Sequence, residues 1–165
     1  MTDSVRTRSP SRKRVLLTLL LACMLTLVPM PLKLIWLRPA WLLMVLVYWI
    51  VMFPRFAGVG VAFLAGLMLD VLTGSLLGEH ALALTIPAFL IMRVRMRFRF
   101  FPLLQQALGV LALVLVYQLI LFCVQGFLGQ PPVTSAYWLS SVTSMLLWPW
   151  VFIVLDRWQR HIGPV

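Results

Sequence analysis

Residues 58–78 read GVGVAFLAGLMLDVLTGSLLG, an apolar stretch with a single carboxylate inside it. A small residue or Asp70 stands at every fourth position, and we call this set the small-residue ladder: Gly58, Ala62, Gly66, Asp70, Gly74 and Gly78. Residues four apart lie nearly above one another on an α-helix, and small residues let a second helix approach closely in lipid. Because the stripe drifts by about 40° per step, only Ala62 to Gly74 can face one neighbour. The stretch therefore predicts a membrane helix that packs tightly against another helix.

Asp70 is the only carboxylate embedded in the long apolar runs of the chain. A carboxylate in hydrocarbon costs about 2.5 to 3.5 kcal/mol on insertion scales, so it needs a partner or a cavity. Counted from Arg55, Asp70 lies about 22 Å along a helix, in its outer third. Lys33 and Arg38 are candidate partners because the topology described below places them on the same side. We expect Asp70 to fix the register of helix packing rather than to transport protons or ions.

The composition is that of a membrane protein. The 165 residues are 62% hydrophobic, with a mean hydropathy of +1.02. A soluble domain of this length does not need so much apolar surface, whereas a bundle of membrane helices does. The apolar segments are approximately Val15–Leu32, Pro39–Phe53, Phe56–Leu77, His80–Met92, Leu103–Leu128 and Tyr137–Leu155. We therefore predict an all-α, polytopic membrane helix bundle with about six transmembrane helices.

Three parts of unequal length follow from this pattern. Residues 1–14 predict a basic, disordered cytoplasmic tail, residues 15–160 a single transmembrane bundle domain, and residues 161–165 a short cytoplasmic tail. The first apolar segment continues past Leu20–Cys23, which loosely resembles a lipoprotein cleavage box, so we predict a retained signal-anchor. The fourth segment is short for a span, and a re-entrant segment is the alternative interpretation there.

The cationic residues predict the orientation of the bundle. With the amino terminus in the cytoplasm and six spans, 12 of the 14 Lys and Arg residues face inward, and only Lys33 and Arg38 face outward. This asymmetry obeys the positive-inside rule and puts both termini in the cytoplasm. The net charge of +10 is therefore a topology signal and an attraction for anionic membrane lipids. It does not indicate nucleic-acid binding.

Aromatic and amide side chains give two further expectations. Tyr48 and Trp49 approach the inner end of the second segment, where an interfacial aromatic belt is expected. Gln118 and Gln125 lie seven residues apart on one face of the fifth segment. We expect both amides to hydrogen-bond to other helices.

Arginine alternates with apolar residues in the stretch RVRMRFR, and we call it the basic stretch: Arg93, Arg95, Arg97 and Arg99. One interpretation is a cytoplasmic loop that lies on anionic lipid, and the other is a docking site for a cytoplasmic protein. Elsewhere the sequence has no phosphate-binding loop, no Ser/His/Asp constellation and no paired intramembrane carboxylates, and Glu79-His80 lacks further metal ligands. We therefore expect no enzymatic activity, no metal and no cofactor.

Several stretches resemble the rod shape-determining protein MreD family of Gram-negative bacteria. They are LRPAW at 37–41 followed by YW at 48–49, GLMLDVLTGSLLGEHALAL at 66–84, QQAL at 105–108 and LWPW at 147–150. The part through Asp70 and Gly78 is the most specific, and the resemblance covers nearly all of residues 12–160. Ala40 departs from the pattern, since a polar residue is expected after Arg-Pro.

The resemblance implies a non-enzymatic inner-membrane scaffold for rod shape and lateral peptidoglycan synthesis. Such a scaffold binds the single-span protein MreC and acts through it with the MreB filament, the glycosyltransferase RodA and a penicillin-binding transpeptidase. MreD proteins are also distantly similar to substrate-binding subunits of vitamin transporters, so a small-molecule transporter subunit is the alternative. Together with the patterns above, the candidate interaction residues are Ala62, Gly66, Asp70, Gly74, Gly78, Arg38, Trp41, Arg93, Arg95, Arg97 and Arg99.

Overall fold

The computed structural model describes residues 12–29, 37–129 and 135–161. Within these ranges the chain is helical and contains no strand, which confirms the all-α prediction. The helices are α1 (Arg12–Leu27), α2 (Trp41–Met52), α3 (Val59–Thr73), α4 (Glu79–Phe98), α5 (Leu103–Phe127) and α6 (Leu139–His161). A 3-10 turn, Ser135–Trp138, leads into α6.

The helix boundaries depart from the predicted segments at several ends, and the differences at α3 and α4 matter most for the site. α3 ends at Thr73 instead of continuing to Leu77, because Gly74 adopts a left-handed conformation and terminates the helix. α4 continues to Phe98 instead of ending near Met92, so most of the basic stretch is helical rather than a loop. Of the predicted amino-terminal tail, Arg12–Arg14 form the first turn of α1, and residues 1–11 lie outside the described residues.

α2 is the centre of the bundle. Every residue from Leu42 to Val51 is buried, and α1, α4, α5 and α6 all pack against this helix. A helix that is apolar on all sides must be surrounded by other apolar groups. With 12 residues it is about 18 Å long, shorter than the roughly 30 Å hydrocarbon core of a bilayer. The side chains of α2 therefore contact neighbouring helices, whereas those of a peripheral span contact lipid.

Tyr48 and Trp49 belong to this core, so the prediction of an interfacial belt was wrong for them. Trp49 is 0% exposed, and its indole nitrogen donates to Thr18 Oγ1 of α1 at 2.8 Å. The Tyr48 ring meets Phe152 of α6 edge-on, with 5.6 Å between the ring centroids. Hydropathy does not distinguish a side chain that faces lipid from one that faces another apolar helix.

The exterior of the bundle carries many large apolar side chains. On α5 and α6, Leu104, Phe127 and Trp150 are more than two-thirds exposed. An apolar exterior of this extent marks contact with a membrane or with partner proteins. Among the described residues, Leu103–Phe127 and Ala136–Gln159 are long and apolar enough to cross a membrane. The exterior is therefore that of a membrane-associated protein.

Candidate functional site

The candidate site is the turn between α3 and α4 together with the helix ends that flank it. Gly74 ends α3 with φ +66°, and the Ser75 amide donates to the Asp70 carbonyl at 3.2 Å. Gly78 precedes α4 with φ +103°. A Cβ is strained in this region of backbone space, so the turn itself favours glycine at both positions. Gly74 and Gly78 thus lie beyond α3, and the helical ladder ends at Asp70.

The Asp70 carboxylate caps the beginning of α4. Its Oδ2 accepts from the Gly78 amide and its Oδ1 from the His80 amide, each at 2.8 Å, and the Ala81 amide lies 3.4 Å from Oδ2. The first amides of a helix have no intrahelical acceptor, and the helix dipole favours an anion there. Gly78 holds the N-cap position and has no side chain that could accept. Asp70 supplies that acceptor from the preceding helix.

Two side chains complete the surroundings of the carboxylate. His80 Nδ1 lies 2.8 Å from Asp70 Oδ1, and Ser75 Oγ donates to the same oxygen at 3.1 Å. Asp70 is 1% exposed, whereas the His80 side chain is 17% exposed. Hydrogen bonds to a buried charged group offset much of its desolvation cost. Asp70 is therefore a buried carboxylate, and its partners among the described residues all lie in its own helical hairpin.

Gly66 allows α4 to approach α3 at this point. A Cβ added at Gly66 would lie 2.6 Å from the Ala81 nitrogen and 2.7 Å from the His80 carbonyl oxygen, closer than atoms can pack. Ala62, one ladder step earlier, is fully buried. The sequence predicted that either an internal helix or the MreC span packs on this face. At Gly66 the occupant is the chain's own α4.

Arg38 does not pair with Asp70, so that expectation was wrong. Its Nη2 donates to the carbonyl oxygens of Leu25 at 3.2 Å and Val28 at 3.1 Å, at the end of α1. Its own carbonyl oxygen accepts from Ser140 Oγ of α6 at 2.5 Å. Partial burial lowers the pKa of the guanidinium from its ordinary value. The guanidinium caps the carboxyl end of α1, because the free carbonyls at a helix end attract a positive charge. The backbone carbonyl of Arg38 connects this region to α6.

The residues that follow Arg38 also make internal contacts. The Ala40 amide donates to Ser144 Oγ of α6 at 3.0 Å. Trp41, a candidate interaction residue, is half-buried and packs against the hydrophobic core. Lys33, the second candidate partner of Asp70, lies outside the described residues.

Glutamine side chains join the helices beside the Asp70 turn. Gln125 Nε2 of α5 donates to Glu79 Oε1 of α4 at 2.8 Å, and Glu79 is buried. Gln118 Nε2 donates to the Tyr137 carbonyl at 2.7 Å, and the Tyr137 hydroxyl donates to the Gln118 carbonyl at 3.1 Å. The prediction that these amides bond to other helices is confirmed for Gln125, which reaches α4, and Gln118 bonds to the 3-10 turn that leads into α6. This end of the bundle is held together by polar contacts between side chains and backbone.

The basic stretch lies at the opposite end of α4. Arg93, Arg95 and Arg97 belong to its last two turns, and Arg99 follows the helix directly. Cations are favoured at a helix carboxyl end by the helix dipole. The Arg93 guanidinium also sits 4.9 Å from the centroid of the Phe89 ring. The structure therefore does not bring the basic stretch and the ladder together into one site.

The Asp70 cluster contains a serine, a histidine and an aspartate, but not in a catalytic arrangement. A catalytic relay needs the carboxylate and the hydroxyl on opposite imidazole nitrogens. Here Ser75 Oγ and Asp70 Oδ1 both approach His80 Nδ1, at 3.3 Å and 2.8 Å. In the described part of the chain, no three His, Cys, Asp or Glu side chains are grouped as a metal site requires. The contacts of the cluster join the end of α3 to the beginning of α4.

Sequence reasoning missed His80 as a partner of Asp70. The signal that could have revealed it is Gly78, which stands at the start of α4 without a capping side chain. A helix that begins at such a glycine needs an acceptor from elsewhere. The nearest carboxylate in the preceding sequence, eight residues earlier, is Asp70.

The helices, the apolar exterior and the internally bonded polar groups define the class first: an all-helical, membrane-associated protein. The sequence model of the family described as rod shape-determining protein MreD matches residues 12–158. The rod shape-determining protein MreD of Haemophilus influenzae is 35% identical over 142 residues, which are 86% of this chain and 88% of that protein. The chain therefore belongs to the MreD family of rod shape determinants. No solved structure matches it.

Proposed function

We propose that the protein is a non-enzymatic scaffold of the cell-wall elongation machinery in the bacterial inner membrane. Membership of the MreD family supports a role in rod shape. The main structural support is that buried polar groups are bonded to one another across helices, with Asp70 capping α4 and Glu79 bound by Gln125. Groups engaged in this way hold a shape and leave few side chains to bind or convert a substrate.

The proposed topology has six spans with both termini in the cytoplasm. Its support is the separation of charge along α4, whose basic stretch lies about 21 to 30 Å along the helix from the Asp70 turn. Leu77 and Phe100 are strongly exposed at these two ends, 67% and 83% respectively. Each can be replaced by cysteine in a chain whose own cysteines are changed to alanine. A membrane-impermeant maleimide applied to spheroplasts should label Leu77→Cys and spare Phe100→Cys, and the reverse pattern would contradict the topology.

The proposed direct partner is MreC, and we place its contact at the outer turn. Since α4 fills the face at Gly66, a partner helix has no access to the ladder there. The turn that follows exposes Leu76 and Leu77, 54% and 67% respectively, on a backbone that Asp70 holds in place. Exposed apolar side chains on a preorganised segment lose little entropy when a partner covers them. MreB, RodA and a penicillin-binding transpeptidase would then be reached directly or through MreC.

Co-purification with MreC tests this contact. The variant Leu76→Ser/Leu77→Ser should lose MreC and fail to support rod-shaped cells. The control is Leu104→Ser/Leu108→Ser, which changes two exposed leucines of α5 at the other end of the bundle and should retain MreC. Undiminished capture by the turn variant would remove the turn from the interface. A metabolite found bound to the purified chain by native mass spectrometry would favour the transporter-subunit alternative over the scaffold.

A further inference from the structure

A recess of about 520 Å³ opens at the end of the bundle opposite to the Asp70 turn. It lies where the turn between α4 and α5 meets the last turns of α6. Its lining includes Arg99 from the turn and Arg157 from α6, both exposed. Recesses of roughly 300 to 1,000 Å³ are the size at which proteins hold small ligands. Two arginines from separate elements line this one.

The rest of the wall is mostly apolar. Phe101 from the turn and Phe152 and Ile153 from α6 line the recess beside the two arginines. Ile153 is 39% exposed, so the apolar wall continues onto the outer surface of the bundle. An occupant that matches this lining has an anionic part for the guanidiniums and a hydrocarbon part for the aromatic and aliphatic side chains.

Gln106 of α5 lines the recess and bonds to both the α4–α5 turn and α6. This side chain is 4% exposed, and its Nε2 donates to the Phe101 carbonyl at 3.0 Å. Its Oε1 accepts from the indole nitrogen of Trp148 at 3.4 Å, which joins the turn to α6. Both ends of the amide are therefore used inside the protein. The backbone of the turn that carries Arg99 is therefore tied to α6 through Gln106 before any ligand arrives.

We propose that this recess binds the headgroup of an anionic phospholipid, with its acyl chains along Phe152 and Ile153. A guanidinium matches a phosphate diester in charge and in hydrogen-bond geometry. Asp156 also lines the recess, and it already interacts with another group of the chain. Two arginines and one aspartate leave the lining with a charge of +1. Anionic headgroups are attracted to such basic surfaces beside membrane helices.

Native mass spectrometry of the full chain in detergent tests the proposal with two probes, phosphatidylglycerol and phosphatidylethanolamine. The pocket variant is Arg99→Gln/Arg157→Gln. The matched control, Arg55→Gln/Arg97→Gln, removes the same charge from two other exposed arginines outside the recess. We expect phosphatidylglycerol binding to weaken about tenfold or more in the pocket variant relative to the control, the scale of two charge contacts at a membrane surface. Phosphatidylethanolamine should bind weakly to all three proteins.

Further variants and competitors distinguish a lipid site from a free-phosphate site, from diffuse charge attraction and from protein docking. Arg99→Lys/Arg157→Lys should recover part of the binding, and unchanged thermal unfolding of the glutamine variant shows that the fold is intact. Millimolar glycerol phosphate that displaced the lipid completely would assign the site to a free phosphate and overturn the lipid proposal. Equal losses in the pocket and control variants would also overturn it, since they indicate diffuse attraction. Unchanged lipid binding with loss of a cytoplasmic protein partner would assign the arginines to protein docking.

Discussion

The two ends of α4 use charge in opposite ways. At its beginning, the Asp70 carboxylate is 1% exposed and is bonded to the helix amides, His80 and Ser75. At its end, about 30 Å away, Arg97 and Arg99 are exposed, and Arg99 lines an open recess. A buried charge with partners is costly to remove, whereas an exposed charge contributes little to stability and stays available to a ligand. Position in the bundle, rather than charge itself, decides which role a charged residue has.

The largest loss of stability is expected from Asp70→Leu. The change leaves the partly buried Gly78 and His80 amides without their acceptor, at a cost of about 3 kcal/mol. The measurement is thermal unfolding in detergent, together with cell shape in a strain that depends on this chain. Asp70→Asn keeps one oxygen acceptor and should lose about 1 kcal/mol. If Asp70→Leu unfolds at the same temperature as the unmodified chain, the proposed contrast between the two ends fails.

Gly66→Ala should be the next most damaging change. The added methyl group would meet the backbone of α4 at Ala81, which cannot move aside as a flexible side chain can. Overpacking of this kind costs about 1 to 3 kcal/mol. Gly60→Ala is the matched control in the same helix, because a Cβ there meets nothing within 4 Å. A Gly66→Ala chain as stable as the Gly60→Ala chain would show that α4 does not pack closely at this point.

Gly74→Ala tests the turn without touching the Asp70 side chain. The residue has φ +66°, where an alanine costs about 1 kcal/mol, and space is not limiting since a Cβ meets nothing within 4 Å. Unfolding temperature and MreC co-purification are the two measurements. Gly126→Ala in α5, which also has open space but no positive φ, should be neutral. Equal stability of the two variants would mean that the left-handed turn is not needed.

The smallest effect is expected at the basic end. Arg97→Gln removes an exposed charge from the last turn of α4 and should change stability by no more than about 0.5 kcal/mol. The same unfolding assay in detergent checks this value beside the Asp70 variants. A loss as large as that of Asp70→Leu would place Arg97 in an unrecognised structural contact and erase the difference between the ends.

Much of the local architecture could be predicted from the sequence. The all-helical fold, the family and the confirmed contact of Gln125 all follow from composition, periodicity and motifs. The sequence also predicted that Asp70 needs a partner, with Lys33 and Arg38 as candidates. Arg38 bonds to α1 instead, and Lys33 lies outside the described residues. Partner choice depends on which groups meet in space, and spacing along one helix contains no information about a second helix.

The sequence alone was sufficient to predict the helical segments, because the hydropathy, size and charge of each residue add up along the chain. Three features required the assembled bundle: α4 as the occupant of the Gly66 face, α2 as the buried centre with Tyr48 and Trp49 inside it, and Asp70 as the cap of α4. A side chain that faces lipid and one that faces another helix are equally apolar. Only the packing of helices distinguishes them. The same packing places the Asp70 carboxylate of α3 against the first amides of α4.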